Sequence, residues 1–211
     1  KFITEFGDII FNEKDIVTIP DTNLKAALNK AIDSNRADDQ VITKTELEGL
    51  SGELSLSSKG ISNLKGIQYC TNINALNLKD NNITSLFPLY KMQNLQQLIL
   101  DGNKELSDLN PIADLTNLTL LKVQKCKISN IDSLKNLTNL TELWLNSNHI
   151  SDISSLKGLT NLTELHLDGQ NITGSKVRAN GSEATISNVI KGLDGKPIAI
   201  ANEDDYTYDS E

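Results

Sequence analysis

The chain is poor in the residues from which reactive sites are usually assembled. Aromatic side chains make up 4% of its 211 residues, with a single tryptophan, Trp144, and there are two histidines and two cysteines. Cys70 and Cys126 can form one bridge at most, which excludes a disulfide-framed scaffold. No stretch approaches the roughly 18 apolar residues that cross a bilayer, and no basic-then-apolar leader opens the chain. It begins at Lys1 without a methionine, as a processed or excised chain would, so any export or anchoring signal is expected to lie outside it. Positive charge is also scarce. Twenty Lys and Arg against 28 Asp and Glu leave a net charge of -8, which repels nucleic acid and anionic membrane surfaces. Glycine-rich phosphate loops, Ser/His/Asp sets and Cys/His clusters at metal spacing are missing as well.

What the chain does have is a period. Leu-x-Leu, once Leu-x-Val, starts at Leu54, Leu76, Leu98, Leu121, Leu143 and Leu165, at intervals of 22, 22, 23, 22 and 22 residues. Counted from these leucines, apolar residues return in columns. Ile61, Ile83, Leu106, Ile128, Ile150 and Ile172 stand at +7, with Leu106 displaced by one. Leu64, Leu86, Leu109, Ile131 and Ile153 follow at +10, and Ile67, Leu89, Ile112, Leu134 and Leu156 at +13. Cys70, Met92, Leu115, Leu137 and Leu159 stand at +16, and Ile73, Leu95, Leu118, Leu140 and Leu162 at +19. One unit cannot enclose these side chains, but a stack of units turns each column into a ridge of a shared core.

Offset +5 carries Lys59, Asn81, Asn103, Cys126, Asn148 and Gln170. An asparagine amide both donates and accepts, so it can satisfy backbone groups that a sharp interior turn leaves unpaired. The column reads as an asparagine ladder, with Cys126 tolerated inside it and frayed ends at Lys59 and Gln170. Cys70 and Cys126 fall in different columns more than two repeats apart, too far to bridge, and are expected as buried thiols. Seven Asn-x-Ser/Thr sequons arise mostly from the repeated phrase LTNLT rather than from independent placement.

The pattern resembles the leucine-rich repeat family, whose signature is Leu-x-x-Leu-x-Leu-x-x-Asn/Cys-x-Leu, and covers about residues 53–173. Its short period and "LTNLTELWLNSNHISDISSLKGLTNLTELHLDGQNIT" are similar to the internalin type on surface proteins of Gram-positive bacteria. The resemblance implies an α/β leucine-rich repeat solenoid with a concave parallel β-sheet and convex 3-10 helices. Pro88 and Pro111 lie in the convex stretches, where no strand partner needs their missing N–H.

Residues 1–52 form the expected N-terminal segment and cap. "IPDTNLKAALNKAID" reads as a helix capped by Asp21 or Thr22, with Leu24, Ala27, Leu28 and Ala31 on one face. Asn35 to Leu50 then has the outline of an EF-hand loop, with Asn35 at position 1, Asp39 at 5 and Glu46 at 12. Ala37 and Gln40 stand where a third-position ligand and a glycine are needed, so no calcium or other cofactor is expected. The resemblance implies a helical cap over the first repeat. Residues 174–211 read as a β-rich extension around an Asp194-Gly195 turn, like the start of an immunoglobulin-like region, with Glu211 as a boundary within a longer protein.

Three strand offsets are expected to face solvent on the concave side. Offset +1 gives Ser55, Asn77, Ile99, Lys122, Trp144 and His166; offset +3 gives Ser57, Lys79, Asp101, Gln124, Asn146 and Asp168; offset -1 gives Glu53, Ala75, Gln97, Leu120, Glu142 and Glu164. Ile99, Leu120, Trp144 and His166 group in repeats three to six. With Lys122 and Asn146 beside them and Asp101, Glu142, Glu164 and Asp168 around them, they have the make-up of an interface hot spot. A tryptophan lying flat on its strand neighbours is the structural alternative. His166, Glu164 and Asp168 also have metal-ligand chemistry, but solvated charges are the commoner fate of such residues, and no metal is expected. The chain is thus read as a non-catalytic, monomeric binding module of an extracellular, secreted or cell-wall-associated protein. The resemblance implies an adhesin-type or virulence role towards a host-cell protein or glycan, without membrane insertion; the other reading is a structural spacer of the bacterial surface.

Overall fold

A computed structural model describes residues 15–170 and, as backbone, the two short strands at 178–179 and 182–183. Six strands, β1 (Ser51–Ser55), β2 (Asn72–Asn77), β3 (Gln97–Ile99), β4 (Leu120–Lys122), β5 (Glu142–Trp144) and β6 (Glu164–His166), pair in chain order as one parallel sheet. Short 3-10 helices at Ile67–Tyr69, Phe87–Lys91, Asn110–Ile112, Asp132–Asn136 and Ser154–Gly158 form the opposite wall. Pro88 and Pro111 sit in the first turn of two of them, as their positions imply. Every expected apolar column is buried between the two walls as one continuous core, apart from Ile172, which lies outside the described residues. Of the C-terminal extension only β7 (Arg178–Ala179) and β8 (Ser182–Glu183), an antiparallel pair, are described.

Each chain turn leaves its strand through a left-handed residue. Ser58, Asp80, Gly102, Lys125, Ser147 and Gly169 all have φ between 53 and 76°. Four of the six carry a Cβ, at a cost of about 1 kcal/mol each. At Gly102 an added Cβ would meet the Asp80 carboxylate, which would have to turn aside, so glycine leaves that side chain undisturbed. From the second turn on, the ladder residue immediately after holds the turn. Asn81 Oδ1 accepts from the backbone N–H of Lys59 and Ile61, and its Nδ2 donates to the carbonyls of Leu56 and Leu78. Asn103 serves Ile83, Leu78 and Leu100, and Asn148 serves Ile128, Val123 and Leu145.

Two features of the ladder differ from the sequence reading or explain it further. Gln170 does not fray: its longer amide accepts from Ile150 N–H at 3.0 Å and donates to Leu145 and Leu167, so it is a full rung. Cys126 coincides with the 23-residue repeat for a physical reason. The extra residue lets Leu106 N–H bond the carbonyl of its own Asn103 at 2.9 Å, removing the donor that a ladder side chain would have to receive. A thiol then suffices, reaching the carbonyls of Gln124 and Leu100. Both cysteines are free and buried, and burial pushes each thiol up to about 12, so neither is a nucleophile near neutral pH.

The phrase LTNLT acquires a function as well. Asn94, Asn117, Asn139 and Asn161 each donate from Nδ2 to a backbone carbonyl of the preceding repeat, at 2.8 to 2.9 Å. Thr119, Thr141 and Thr163 do the same through their hydroxyls. These are a second and a third ladder, so the sequon asparagines Asn117, Asn139 and Asn161 are structural.

The cap is helical, with α1 (Thr22–Ile32) and α2 (Lys44–Gly49). Asp21 caps α1 through Leu24 N–H, while its other oxygen accepts from Ser62 and Asn63 of the first repeat. One carboxylate thereby joins the cap to the solenoid. The buried face of α1 is rotated from the expected one. Ala31 is exposed, and Asn29 is buried in its stead, donating to the carbonyls of Asp38 and Gln40. Leu24, Leu28 and Leu47 complete the end of the core. Gly66 belongs to the same seam: a Cβ there would come within 2.5 Å of Ile19.

In the EF-hand-like loop, Arg36 stands where a cation would be. Its guanidinium takes both oxygens of Glu46 and the carbonyl of Val41, and Glu46 also closes a capping box with Thr43. Burial alone would raise the Glu46 carboxyl, but its hydrogen bonds from Arg36 and Thr43 and the arginine charge outweigh burial and lower it.

Two outcomes follow. Asn103→Ala, which strands buried donors and acceptors on three chain segments, lowers stability by about 3 kcal/mol in urea unfolding, whereas Cys126→Ala costs about 1 kcal/mol or less. Because the folded Glu46 carboxyl is lowered, its contribution is present above the ordinary value near 4.5 and is lost as pH falls through the folded value. Glu46→Gln therefore costs about 2 kcal/mol at pH 7, and the gap to the parent narrows in melts at progressively lower pH.

Candidate concave-face binding site

Strand register converts the three sequence columns into physical rows. Ile99 pairs with Lys122, Lys122 with Trp144 and Trp144 with His166; the row beside it runs Gln97, Leu120, Glu142, Glu164. Neighbouring strands in such a sheet lie about 4.8 Å apart, so each row is a continuous ladder of side chains. The strand residues alternate by two, which sends Leu121, Leu143 and Leu165 into the core and the residues beside them outward.

Trp144 is half-buried and held between two neighbours. Its ring lies 3.6 Å from the His166 ring, centroid to centroid, at an interplanar angle of 19°. Lys122 Nζ, from the strand on the other side, stands 4.1 Å from the indole centroid. The stack and the cation–π contact contribute about 1 kcal/mol each. The indole Nε1–H is shielded and has no acceptor among the described residues. The flat-lying geometry and the contact role are compatible, because the stack fixes one orientation of the ring before any partner arrives.

One expectation fails. His166 does not face solvent; it is 0% exposed. The indole stacked on it excludes water from one side, and its Nε2 is 3.8 Å from the Glu164 carboxylate. His166 thus lies against the indole and supports it. No group of three or more His, Cys, Asp or Glu is placed to hold a metal ion among the described residues. His149, the other histidine, is exposed beyond the ladder on another surface.

The remaining residues form two tiers. Ile99 and Leu120 are half-buried, Leu120 on the strand next to Trp144 and Ile99 one strand further, with Lys122 between Ile99 and the indole. In the +3 row the carboxylates are tied pairwise across strands. Asp101 accepts from the backbone and side-chain nitrogens of Gln124 at 2.8 and 3.3 Å, and Asp168 accepts from Asn146 at 2.7 Å. Burial pushes the Asp101 carboxyl above its ordinary range, and the Gln124 hydrogen bonds and the charges of Lys122 and Lys79 offset this only in part. Glu142 and Glu164, half-buried side by side on β5 and β6, complete the acidic border.

The column reading of the concave side passed over the other aromatic residues. Residues 15–170 hold four, and three of them, Tyr69, Phe87 and Tyr90, lie on the convex wall. Extending the same counting to +11 and +14 isolates Phe87 and Tyr90, since the other repeats carry Lys65, Asn110, Asp132 and Ser154, or Gln68, Ala113, Lys135 and Lys157.

Comparison with known proteins agrees with this architecture. The sequence model described as Leucine Rich repeats (2 copies) matches residues 116–158 and 138–176. No curated protein sequence matches the chain. Among solved structures, the internalin inlF from Listeria monocytogenes is similar at 32% identity and a TM-score of 0.68, with 73% of this chain and 45% of that one covered. The functional domain of InlJ from Listeria monocytogenes, which includes a cysteine ladder, is similar at 31% identity and a TM-score of 0.64, covering 75% of this chain and 34% of that one. The chain therefore spans less than half the length of either. With its parallel sheet, alternating 3-10 turns and ladder asparagines, the chain is a leucine-rich repeat protein structurally similar to the Listeria internalins.

Proposed function

We propose that the domain is a non-catalytic protein-binding module of a secreted or surface-attached bacterial protein, and that it engages a host-cell surface protein through the concave face. The observation that carries this reading is the row Lys122–Trp144–His166, in which a half-buried indole is pre-oriented on a laddered parallel sheet. A large aromatic anchor held in one conformation loses little entropy on binding, which is the usual character of an interface hot spot. Leu120 and Ile99 extend the apolar contact, and Glu142 and Glu164 give a partner with basic groups a gain in encounter rate and orientation. No helix of the described residues is long and apolar enough to cross a membrane. The internalin likeness supports the surface location and the protein partner.

Trp144→Ala removes the stack and the cation–π contact and lowers stability by about 1–2 kcal/mol, leaving the domain folded. Ile99→Ala, half-buried and outside the stack, changes stability by less than about 1 kcal/mol. In pull-downs from host-cell membranes both variants lose the partner that the parent captures. Capture of the same partner by both at parental levels contradicts the concave-face reading and favours a spacer.

A further inference from the structure

The convex wall carries an aromatic cleft that the solenoid does not need. Phe87 is 66% exposed and Tyr90 43%, and their rings stack at 5.2 Å and 29°. At these two offsets the other repeats place polar or small side chains, so nothing in the repeat architecture calls for an aromatic there. Together with Tyr69 from the preceding 3-10 helix, the pair lines a cleft of about 550 Å³ between the first and second convex turns. Three of the four aromatic residues of the described stretch thus converge on one spot.

The rest of the lining selects the ligand. Asn63, Gln68, Thr84 and Ser85 add amides and hydroxyls around the rings, and Lys65 and Lys91 add two ammonium groups, both exposed. No carboxylate lines the cleft, although the chain as a whole carries -8. The carboxylate of Asp21, bonded to the lining residues Ser62 and Asn63, is directed at their N–H groups, the Ser62 hydroxyl and Leu24 N–H. Serine and lysine are depleted at the cores of protein interfaces, where a dry apolar contact is favoured. Hydroxyls and amides around exposed aromatic faces suit a sugar instead. The C–H bonds of a pyranose ring point positive edges at the negative face of an aromatic ring, and its hydroxyls need donors and acceptors close by. The volume is that of a small-ligand site.

We infer that the cleft between the first two convex turns binds an oligosaccharide bearing carboxylates, with a sugar ring against Phe87 and Tyr90 and the carboxylates at Lys65 and Lys91. This site is separate from the concave row, so one domain presents a protein-binding face and a glycan-binding face on opposite walls.

The test is titration calorimetry of the domain with tetragalacturonic acid and with its neutral methyl ester. The parent binds the acid saturably, and the ester at least tenfold more weakly. Phe87→Ala and Lys91→Ala each raise the Kd for the acid at least tenfold, while Trp144→Ala leaves it unchanged. Phe87 and Lys91 are exposed, and cooperative thermal melts show that Phe87→Ala and Lys91→Ala remain folded. Absence of saturable binding, equal affinity for acid and ester, or a parental Kd in Phe87→Ala overturns the inference. So does capture of a protein through Phe87 without sugar binding, which makes the cleft a protein interface.

Discussion

The amide of the ladder residue is the interaction on which the rest of the structure depends. At each turn the chain leaves its strand through a left-handed residue, at real conformational cost, and exposes backbone groups to a dry interior. One buried side chain answers both problems by accepting from the turn before it and donating to carbonyls on two successive repeats. Because every rung is shared, the strands cannot slip relative to one another without stranding buried donors. The concave rows inherit that fixity. Trp144 stacks on His166 and beneath Lys122 because the three stand in one register, which the rungs at Asn148 and Gln170 maintain.

The irregular repeat shows how strict this requirement is. An inserted residue before Leu106 gives that amide a local acceptor, and only there does the ladder give up its amide for the thiol of Cys126. At the N-terminal end the problem is the exposed core of the first repeat, and it is solved with charges that cross the seam. Asp21 binds helix and repeat together, and the Arg36–Glu46 pair organises the loop that shapes the cap. Lowered carboxyls at both Asp21 and Glu46, where hydrogen bonds outweigh burial, mark these as places where acid weakens the cap.

Most of this was readable from spacing. The 22-residue period named the core columns, the strand positions and the rungs, because each is repeated and each repeat confirms the others. What escaped were features that belong to one place only. Gln170 reads as a departure from asparagine, yet one more methylene still lets its amide reach the same groups. Ala31 and Asn29 differ by about half a turn of helix, and the carbonyls of Asp38 and Gln40 that draw Asn29 inward come from a loop with no periodicity. His166 shares the offset of Trp144, and offset alone could not say that one ring would cover the other. The LTNLT ladders were visible as repetition, but their acceptors lie 22 to 24 residues away, so only the folded register supplied a reason for them.

The solenoid therefore has two walls with different chemistry, and both are presented by the same frame. If the ladder is that frame, the amides it receives must be among the slowest to exchange in the molecule. Native-state hydrogen exchange of the backbone N–H groups of Ile83, Ile128 and Ile150, each bonded only to a ladder side chain, measures this directly. Protection equal to that of the amides of Leu100, Val123 and Leu145, each bonded to a carbonyl of the next strand, is the expected result. Exchange of those three isoleucines at loop-like rates, while the backbone-bonded amides of Leu100, Val123 and Leu145 stay protected, would contradict the account.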